Sequence, residues 1–484
     1  MRRIKLFPFL PLLLLSGAFG QAPADRIIDE ALKPSALESN LEWLTDQIGG
    51  RVPGTPAMQK AVAWGVDAFK TAGADRVRTE AYTIPASWAE GATDLSVVAP
   101  EEFKVRAVSL AWAPALAPHN HVRIVDVGEG TDEDFARSNA AGAIALVSSQ
   151  ELKTLDDLFA EYVNAIAVAK RGERAGVLAL AFQSTRPYDL LYRHINSQTG
   201  NIDRTPMLVV AREDAGRMKR LLQSGQELFG DISIPNRIGG PVQAENVVAE
   251  LKGREKPDEF VVLGAHLDSW ELGNGALDNG CNAALVIDAL RAIKASGARP
   301  RRSIRFILFS GEEEGLLGSR AYAEAHREEL DKAAGVVVLD EGSGRVTGFS
   351  LGGRRDLLPA VSALAAPLKR LNADALTTDG LYGSDHFDFL LQGVPAFLAN
   401  QEIANYLINY HASSDTYDKV DLAQLKKNAA VAAVFTFAIA DSPERLGRRL
   451  NHEEIDQTLR ESQLDSQMKA FDIWDGWSSG KRGR

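Results

Sequence analysis

Short apolar runs alternate with longer amphipathic segments through the second half of the chain. The runs FVVLGA, SIRFILFS, GVVVLD and VPAFLA are rich in Val, Ile and Phe and predict buried strands. Stretches such as CNAALVIDALRAIKASG, which follows the first run, predict helices. Buried strands that alternate with helices indicate an α/β fold whose central sheet is mostly parallel and covered by helices on both faces.

The middle of the chain has a different pattern of apolar runs and turns. The runs HVRIVDVG, GAIALVSS, AGVLALAFQ and TPMLVVA are separated by Gly/Asp turns and by one helix predicted near residues 157–172. We predict an inserted β-rich domain over residues 86–240. It divides a main domain formed by residues 21–85 and 241–445.

Both ends of the chain are predicted to lie outside these domains. Residues 1–20 combine the basic start MRRIK, the apolar core LFPFLPLLLL and small residues at Ala18 and Gly20, a pattern typical of a secretory signal peptide. Residues 446–484 are polar and predict a peripheral helix and a loose tail, although Trp474 and Trp477 favour some docking. The protein is therefore expected to be secreted or periplasmic, with no membrane span after signal removal.

Composition narrows the function further. The formal net charge of the 484 residues is −11, which argues against a nucleic-acid partner. The single cysteine, Cys281, allows no intrachain disulfide, so the fold must depend on its core and on any bound metal.

Charged residues collect where the predicted strands end. His266 and Asp268 follow the first strand and Asp278 begins the next helix, while three glutamates, Glu312, Glu313 and Glu314, follow the second strand. Asp340 ends the third strand, and His411 precedes the last apolar helix. Functional residues gather at the carboxyl ends of parallel strands, and mixed imidazole and carboxylate donors suit zinc and related metals.

Each of these residues alone has an ordinary structural interpretation. Asp278 taken singly is a helix cap, the three glutamates are a solvated helix start, and either histidine is a core or loop residue. Unpaired buried charge costs several kcal/mol, so hydrogen bonds, a basic partner or a metal must neutralise the set. The joint placement of the residues favours the metal.

The motifs HLDSW…GALDNG, GEEEG, VVLDEG and YHASSDTYDK resemble those of the co-catalytic dizinc exopeptidases. That family includes secreted leucyl aminopeptidases, glutamate carboxypeptidases and carboxypeptidase Q, and the resemblance is nearest to the last. It spans residues 25–445 and includes the segment GGRVPGTP. It implies the zinc exopeptidase fold and gives the inserted domain the character of a protease-associated module, which would cover the cleft, form a dimer contact or pack passively.

The resemblance also implies a role for each motif residue. Asp278 would bridge two zinc ions, with His266 and Asp340 at one and Glu313 and His411 at the other. Glu312 would be the general base and Asp268 would orient His266. The family pattern Glu-Glu-x-Gly, matched through Gly315, sets this register and leaves Glu314 as a surface residue of the first helical turn.

The implied reaction is hydrolysis of the terminal bonds of small peptides or dipeptides through a metal-activated bridging water. Tyr410 or His386 would help to stabilise the oxyanion, and simple loop packing is the other interpretation of His386. The terminus that is attacked stays open, because an acidic residue near the metals would bind an α-ammonium and an arginine would bind an α-carboxylate. A homodimer is possible.

Two other functions are compatible with this fold. A receptor-like binding protein would lack the metal ligands, and a glutaminyl-cyclase-like enzyme would hold one zinc ion. The complete ligand set in this chain favours the peptidase.

Overall fold

The structure is a computed structural model that describes residues 21–484, so the predicted signal peptide lies outside the described residues. In chain order the strands of this region are β1 (Arg76–Ile84), β2 (Trp88–Ala89), β3 (Asp94–Ala99), β4 (Phe103–Val105), β5 (Ala107–Ser109), β6 (Leu116–Asp126), β7 (Ile144–Val147), β8 (Ala179–Gln183), β9 (Met207–Val210), β10 (Leu228–Ile234), β11 (Arg237–Ile238), β12 (Val242–Leu251), β13 (Lys256–His266), β14 (Arg302–Phe309), β15 (Ala333–Val338), β16 (Val346–Ser350), β17 (Ala375–Thr377) and β18 (Ala396–Gln401).

The α-helices of the same region are α1 (Pro23–Ala31), α2 (Leu37–Glu42), α3 (Pro56–Thr71), α4 (Asp132–Ser138), α5 (Leu155–Ala175), α6 (Arg212–Gln223), α7 (Cys281–Ala295), α8 (Leu317–Ala325), α9 (Leu358–Ala365), α10 (Phe387–Leu391), α11 (Tyr406–Asn409), α12 (Leu422–Asp441), α13 (His452–Glu461), α14 (Leu464–Ala470) and α15 (Trp474–Ser478). None of these helices combines the length and the apolar composition that a membrane span needs.

The central sheet has the strand order β1-β12-β14-β13-β15-β18-β16-β17. Its four middle strands, β14, β13, β15 and β18, are parallel, as the alternating pattern predicts. The sheet as a whole is mixed, because β1 pairs with β12, β12 with β14, and β16 with β18 in antiparallel fashion. Only residues 252–255 join β12 to β13, which is too short for the helical crossover between parallel strands, so β12 runs opposite to β13 and to β14 between them.

Helices cover both faces of this sheet. On β13, the side chains of Val261 and Leu263 pack with α1, α3, α7 and α12, whereas those of Phe260 and Val262 pack with α8, α10 and α13 on the other face. This alternation follows from the two-residue period of a strand. The predicted α/β layering is therefore correct, and four of the seven strand pairings in this sheet are parallel.

A second sheet uses strands from residues 94–234, in the order β4-β3-β10-β6-β7-β8-β9-β5. Its middle strands, β6 to β9, are parallel, and three helices, α4, α5 and α6, accompany it where one was expected. Helix α5 begins with a capping box between Thr154 and Asp157, which satisfies backbone N–H groups at its start. The assignment of residues 86–240 as a protease-associated-like domain stays a prediction.

The prediction of a loose carboxyl-terminal tail is wrong. Trp477 is buried, and Arg482 forms a buried ion pair with Asp388 in which the nearest atoms are 2.6 Å apart. Helices α13 and α14 also bury apolar side chains such as Leu459 and Met468 against the central sheet. Although the segment is polar overall, its apolar side chains lie on one narrow face of its helices, and this face packs against the main domain.

Candidate metal centre and active site

The predicted metal ligands meet at one edge of the central sheet. Strand β13 ends at His266, which lies opposite Phe309 at the end of β14, and Gly264 lies opposite Val338 at the end of β15. The three parallel strands therefore end at the same edge of the sheet, and Glu312, Glu313 and Asp340 follow shortly after the strand ends. Asp278 and His411 reach this edge from loops.

The five side chains form two groups that share Asp278. His266 Nε2 is 2.9 Å from Asp340 Oδ1 and 3.2 Å from Asp278 Oδ1. His411 Nε2 is 2.8 Å from Glu313 Oε2 and 3.3 Å from Asp278 Oδ2. Each carboxylate oxygen of Asp278 thus faces a different histidine–carboxylate pair, as a bridging ligand requires.

The hydrogen bonds of the two histidines fit a pair of cations. Nδ1 of His266 is 3.0 Å from the carbonyl of Asp268, and Nδ1 of His411 is 3.0 Å from the carbonyl of Arg193. An Nδ1–H that donates to a carbonyl leaves Nε2 with its lone pair towards the carboxylates. Three buried atoms at the centre, Asp278 Oδ2, Glu313 Oε1 and His411 Nε2, have no hydrogen-bond partner among the described residues. Bound metal ions would satisfy all of them.

Protons compete with metal at this centre. Burial opposes protonation of His411, but Glu313 and Asp278 outweigh it and raise the pKa of His411 to about 9. Burial likewise opposes protonation of His266, and the carboxylates around it, Asp340 first, raise its pKa. Burial raises the pKa of Glu313 to about 7. Metal binding must displace these protons, so occupancy should fall as the solution becomes acidic.

Asp268 lies beside His266, but its carboxylate does not make the predicted contact. Its Oδ1 is 3.6 Å from His266 Nδ1, too far for a hydrogen bond, and its backbone carbonyl accepts that hydrogen bond instead. The other carboxylate oxygen, Oδ2, accepts a hydrogen bond from the backbone N–H of Glu313 at 3.2 Å. Asp268 therefore connects the first histidine to the turn that carries Glu313.

The three consecutive glutamates have three different surroundings. Glu312 is partly exposed and lines the cleft beside the metal centre. Burial and the negative charge of Asp340 both raise the pKa of Glu312. Glu313 points into the centre. Glu314 was expected at the surface of a helix but is fully buried, and neither of its carboxylate oxygens has a partner among the described residues.

The physical reason for the error over Glu314 is the turn that follows it. Gly315 has φ +110°, and a Cβ there would lie 2.5 Å from the carbonyl oxygen of Gln198. Helix α8 begins only at Leu317, so Glu314 precedes the helix, in a turn against which the segment around Gln198 packs at Gly315. The contact joins residues more than a hundred positions apart, and the local sequence contains no signal of it.

Two buried charged residues hold the loop that carries Asp278. The guanidinium of Arg51 donates to four backbone carbonyls, those of Gly49, Leu267, Asn274 and Gly275, at 2.6–2.8 Å. Asp415 accepts hydrogen bonds from the backbone N–H groups of residues 276–278 at 2.7–3.1 Å. These residues belong to the motifs GGRVPGTP and YHASSDTYDK, but no role was predicted for either of them.

Asn279 was also missed. It follows Asp278 through a cis peptide bond, and its amide donates to Asp340 Oδ1 at 2.9 Å and to the carbonyl of Leu339 at 3.0 Å. Cys281, two residues further on, is fully buried, and burial raises the pKa of its thiol. The interpretation of Cys281 as a structural residue fits this position.

An open cleft with a cavity volume of about 160 Å³ leads to the centre. Its walls include helix α5 beside the second sheet, the loop around residues 381–384, and Phe471 in the carboxyl-terminal extension. The lining residues are Leu155, Leu158, Phe159, Tyr162, Gln198, Asp278, Glu312, Glu313, Leu316, Asp340, Glu341, Leu381, Tyr382, Gly383, Ser384, Leu398, Tyr406, Tyr410 and Phe471.

The two predicted substrate contacts differ in position. Tyr410 lines the cleft, its ring stacks on His411 with centroids 3.7 Å apart, and its hydroxyl is 3.0 Å from that of Tyr162. His386 is buried and does not belong to the cleft lining, and burial lowers its pKa to about 4. The structure therefore favours loop packing for His386, because the ring is enclosed before helix α10.

Comparison with known proteins shows which peptidases this chain is similar to. Residues 246–436 match peptidase family M28. The chain is 27% identical to carboxypeptidase Q of Mus musculus over 410 residues, which are 84% of this chain and 86% of that protein. It is 25% identical to aminopeptidase YwaD of Bacillus subtilis over 411 residues, which are 82% of this chain and 83% of that protein.

The fold has a close counterpart among solved structures. The peptidase M28 precursor from Shewanella amazonensis matches with a TM-score of 0.78 and 26% identity, over 88% of this chain and 98% of that one. The recognition of an exopeptidase family from the four motifs is thereby confirmed.

Proposed function

This chain is a metallo-exopeptidase with a peptidase family M28 domain, and from that premise we propose that it hydrolyses dipeptides and the terminal bonds of small peptides with two zinc ions. The observation that carries the two-metal assignment is the position of Asp278. Its two oxygens face two separate histidine–carboxylate pairs at 3.2 and 3.3 Å. One metal would use His266 and Asp340, the other Glu313 and His411, and Asp278 would bind both.

The bound zinc ions would supply Lewis-acid activation of water and of the scissile carbonyl. Glu312 would take the proton from the attacking water and pass it to the leaving amine, since it is the partly exposed glutamate of the turn that lines the cleft. Burial and Asp340 raise the pKa of Glu312, which makes its carboxylate a stronger base towards water and its protonated form able to return the proton to the amine. The hydroxyl groups of Tyr162 and Tyr410 would donate to the developing oxyanion.

The cleft is suited to a short substrate with apolar side chains. Its wall contains leucines at positions 155, 158, 381 and 398 and the ring of Phe471, and helix α5 narrows it from one side. Overall similarity supports a carboxypeptidase-Q-like activity on dipeptides. An aminopeptidase is the second candidate, supported by Glu341, an acidic residue of the lining that the metal centre does not use.

Location and assembly stay proposals. Secretion or export to the periplasm rests on the pattern of residues 1–20. The role of the inserted region as a cover for the cleft is supported by the four residues of α5 that line it. A homodimer stays a prediction.

Substitution of Glu312 tests the proposed reaction. Glu312→Gln should keep the zinc content of the wild type and lower kcat by about 10²–10⁴-fold, the contribution of a positioned general base. Glu328→Gln, at an exposed position, is the matched control and should keep full activity. Activity of Glu312→Gln within tenfold of the wild type would exclude this residue as the base.

A further inference from the structure

The two metal-binding histidines are oriented by different parts of the chain. Nδ1 of His266 faces the carbonyl of Asp268, only two residues further along the same segment. Nδ1 of His411 faces the carbonyl of Arg193, which belongs to the predicted inserted domain and lies 218 positions away. The first histidine is therefore oriented from within the main domain, whereas the orientation of the second depends on a distant region.

Residues 191–193, which we call the brace segment, run antiparallel to the loop that carries His411. The backbone N–H of Arg193 donates to the carbonyl of His411 at 2.9 Å, and that of Ser413 donates to the carbonyl of Leu191 at 3.0 Å. The residues between these two hydrogen bonds, 192 and 412, form an antiparallel bridge. With the contact at Nδ1, the brace segment binds both the backbone and the ring of His411.

The backbone of His411 needs such support. Its φ is +58°, in the left-handed region that a residue with a Cβ rarely adopts unless the surrounding structure imposes it. An Nδ1–H that donates to the Arg193 carbonyl also fixes the tautomer, so that Nε2 is free to bind metal beside Glu313, 2.8 Å away. Without the brace segment, relaxation of this backbone would turn the imidazole away from the carboxylates.

The side chain of Arg193 anchors the brace segment. Its fully buried guanidinium donates to Glu90 at 2.6 Å, to Glu271 and to the carbonyl of Ser109. Glu90 and Ser109 belong to the predicted inserted domain, whereas Glu271 lies in the loop between the first histidine and the bridging aspartate. Arg193 therefore connects both domains at the metal centre, and loss of its charge would leave two carboxylates without their cation.

We infer that Arg193 is a positioning residue for one of the two zinc ions, the one at Glu313 and His411, which we call the second zinc. The first zinc, at His266 and Asp340, does not depend on Arg193. This inference rests on the proposed two-zinc function. It gives the inserted region a role in building the metal centre, in addition to covering the cleft.

Zinc titration of the metal-free protein by calorimetry tests the inference. Arg193→Met keeps a long unbranched side chain without the charge, and it should weaken the second zinc by about 10- to 100-fold, the usual effect of losing a partner of a ligand. The affinity for the first zinc should not change. A merely structural role would weaken both ions alike and keep the ratio of their dissociation constants.

Single-site backgrounds assign the affected ion. His266→Ala keeps the second site, and there Arg193→Met should weaken the remaining zinc by the same factor. His411→Ala keeps the first site, and there Arg193→Met should have no effect. The opposite pattern would overturn the inference.

The matched control is a second buried arginine. Arg302 is fully buried and donates to Glu259 at 2.6 Å, but it begins β14 and lies at the end of the sheet opposite to the metal centre. Arg302→Met should therefore lower the unfolding free energy and keep both zinc affinities.

The remaining outcomes separate the inference from the proposed function. A wild type that binds fewer than two zinc ions would overturn the two-zinc function, and the inference with it. Two zinc ions in the wild type and unchanged affinities in Arg193→Met would overturn the inference alone. If Arg193→Met does not fold, Glu271→Gln removes one anchor at a partly exposed position and should weaken the second zinc only; an unchanged affinity there would overturn the inference.

Discussion

Replacement of Arg51 by lysine should destabilise the protein strongly. Arg51 is fully buried and donates four hydrogen bonds to backbone carbonyls, one in its own loop and three in the segment between His266 and Asp278. Burial lowers its pKa to about 10, so the guanidinium is still charged at neutral pH. A hydrogen bond to a charged group contributes about 1.5–3 kcal/mol, and the ammonium of lysine can reach one or two of the four carbonyls. Two or three hydrogen bonds are then lost, so we expect Arg51→Lys to lower the unfolding free energy by about 3–9 kcal/mol.

Urea unfolding of the zinc-loaded protein measures this loss. Arg355→Lys is the matched control, since Arg355 is exposed, and its unfolding free energy should stay within about 0.5 kcal/mol of the wild type. Because Arg51 also holds the loop before Asp278, the variant should bind zinc more weakly. A loss below about 1 kcal/mol together with unchanged zinc content would refute the positioning role of Arg51.

Three further predictions concern other parts of the molecule. Arg482→Met leaves Asp388 buried without its cation and should cost about 3–5 kcal/mol in urea unfolding; an unchanged midpoint would show that the extension does not dock. Burial lowers the pKa of His194 to about 4, below its unfolded value near 6.5, so the unfolded state binds the proton first as the pH falls. Protonation of His194 should therefore lower the unfolding free energy by about 3 kcal/mol between pH 6.5 and pH 4. The decrease should be smaller in His194→Gln, which lacks this group. Native mass spectrometry should find two zinc ions in the wild type and one in His411→Ala, and two in the variant would contradict the ligand assignment.

Much of the fold and of the metal centre was predictable because the signals are local. The two-residue period of β13 and the helical period of α7 identify both elements and the faces they bury. The positions of His266, Glu313 and Asp340 at the ends of successive strands then place them at one edge, since parallel strands end together.

Other features depended on contacts between distant segments. Glu314 lies in a turn against which the segment around Gln198 packs, and the tail docks because Arg482 finds Asp388. The carbonyl rather than the carboxylate of Asp268 accepts the hydrogen bond from His266, a difference of less than an ångström that no spacing rule predicts.

The sequence by itself determined the α/β layering and the order of the motifs, which follow from residue type and local periodicity, and the resemblance of those motifs to the dizinc exopeptidases selected the five metal-ligating candidates. Only the tertiary structure decided which oxygen of Asp278 faces which histidine, and which side chains of α5 and the carboxyl-terminal extension close the cleft. It also decided that Glu341, and no basic residue of the described chain, stands in the cleft. The physical reason is that a strand or helix is specified by neighbours a few residues away, whereas a cleft is formed by side chains that meet only when the whole chain has packed.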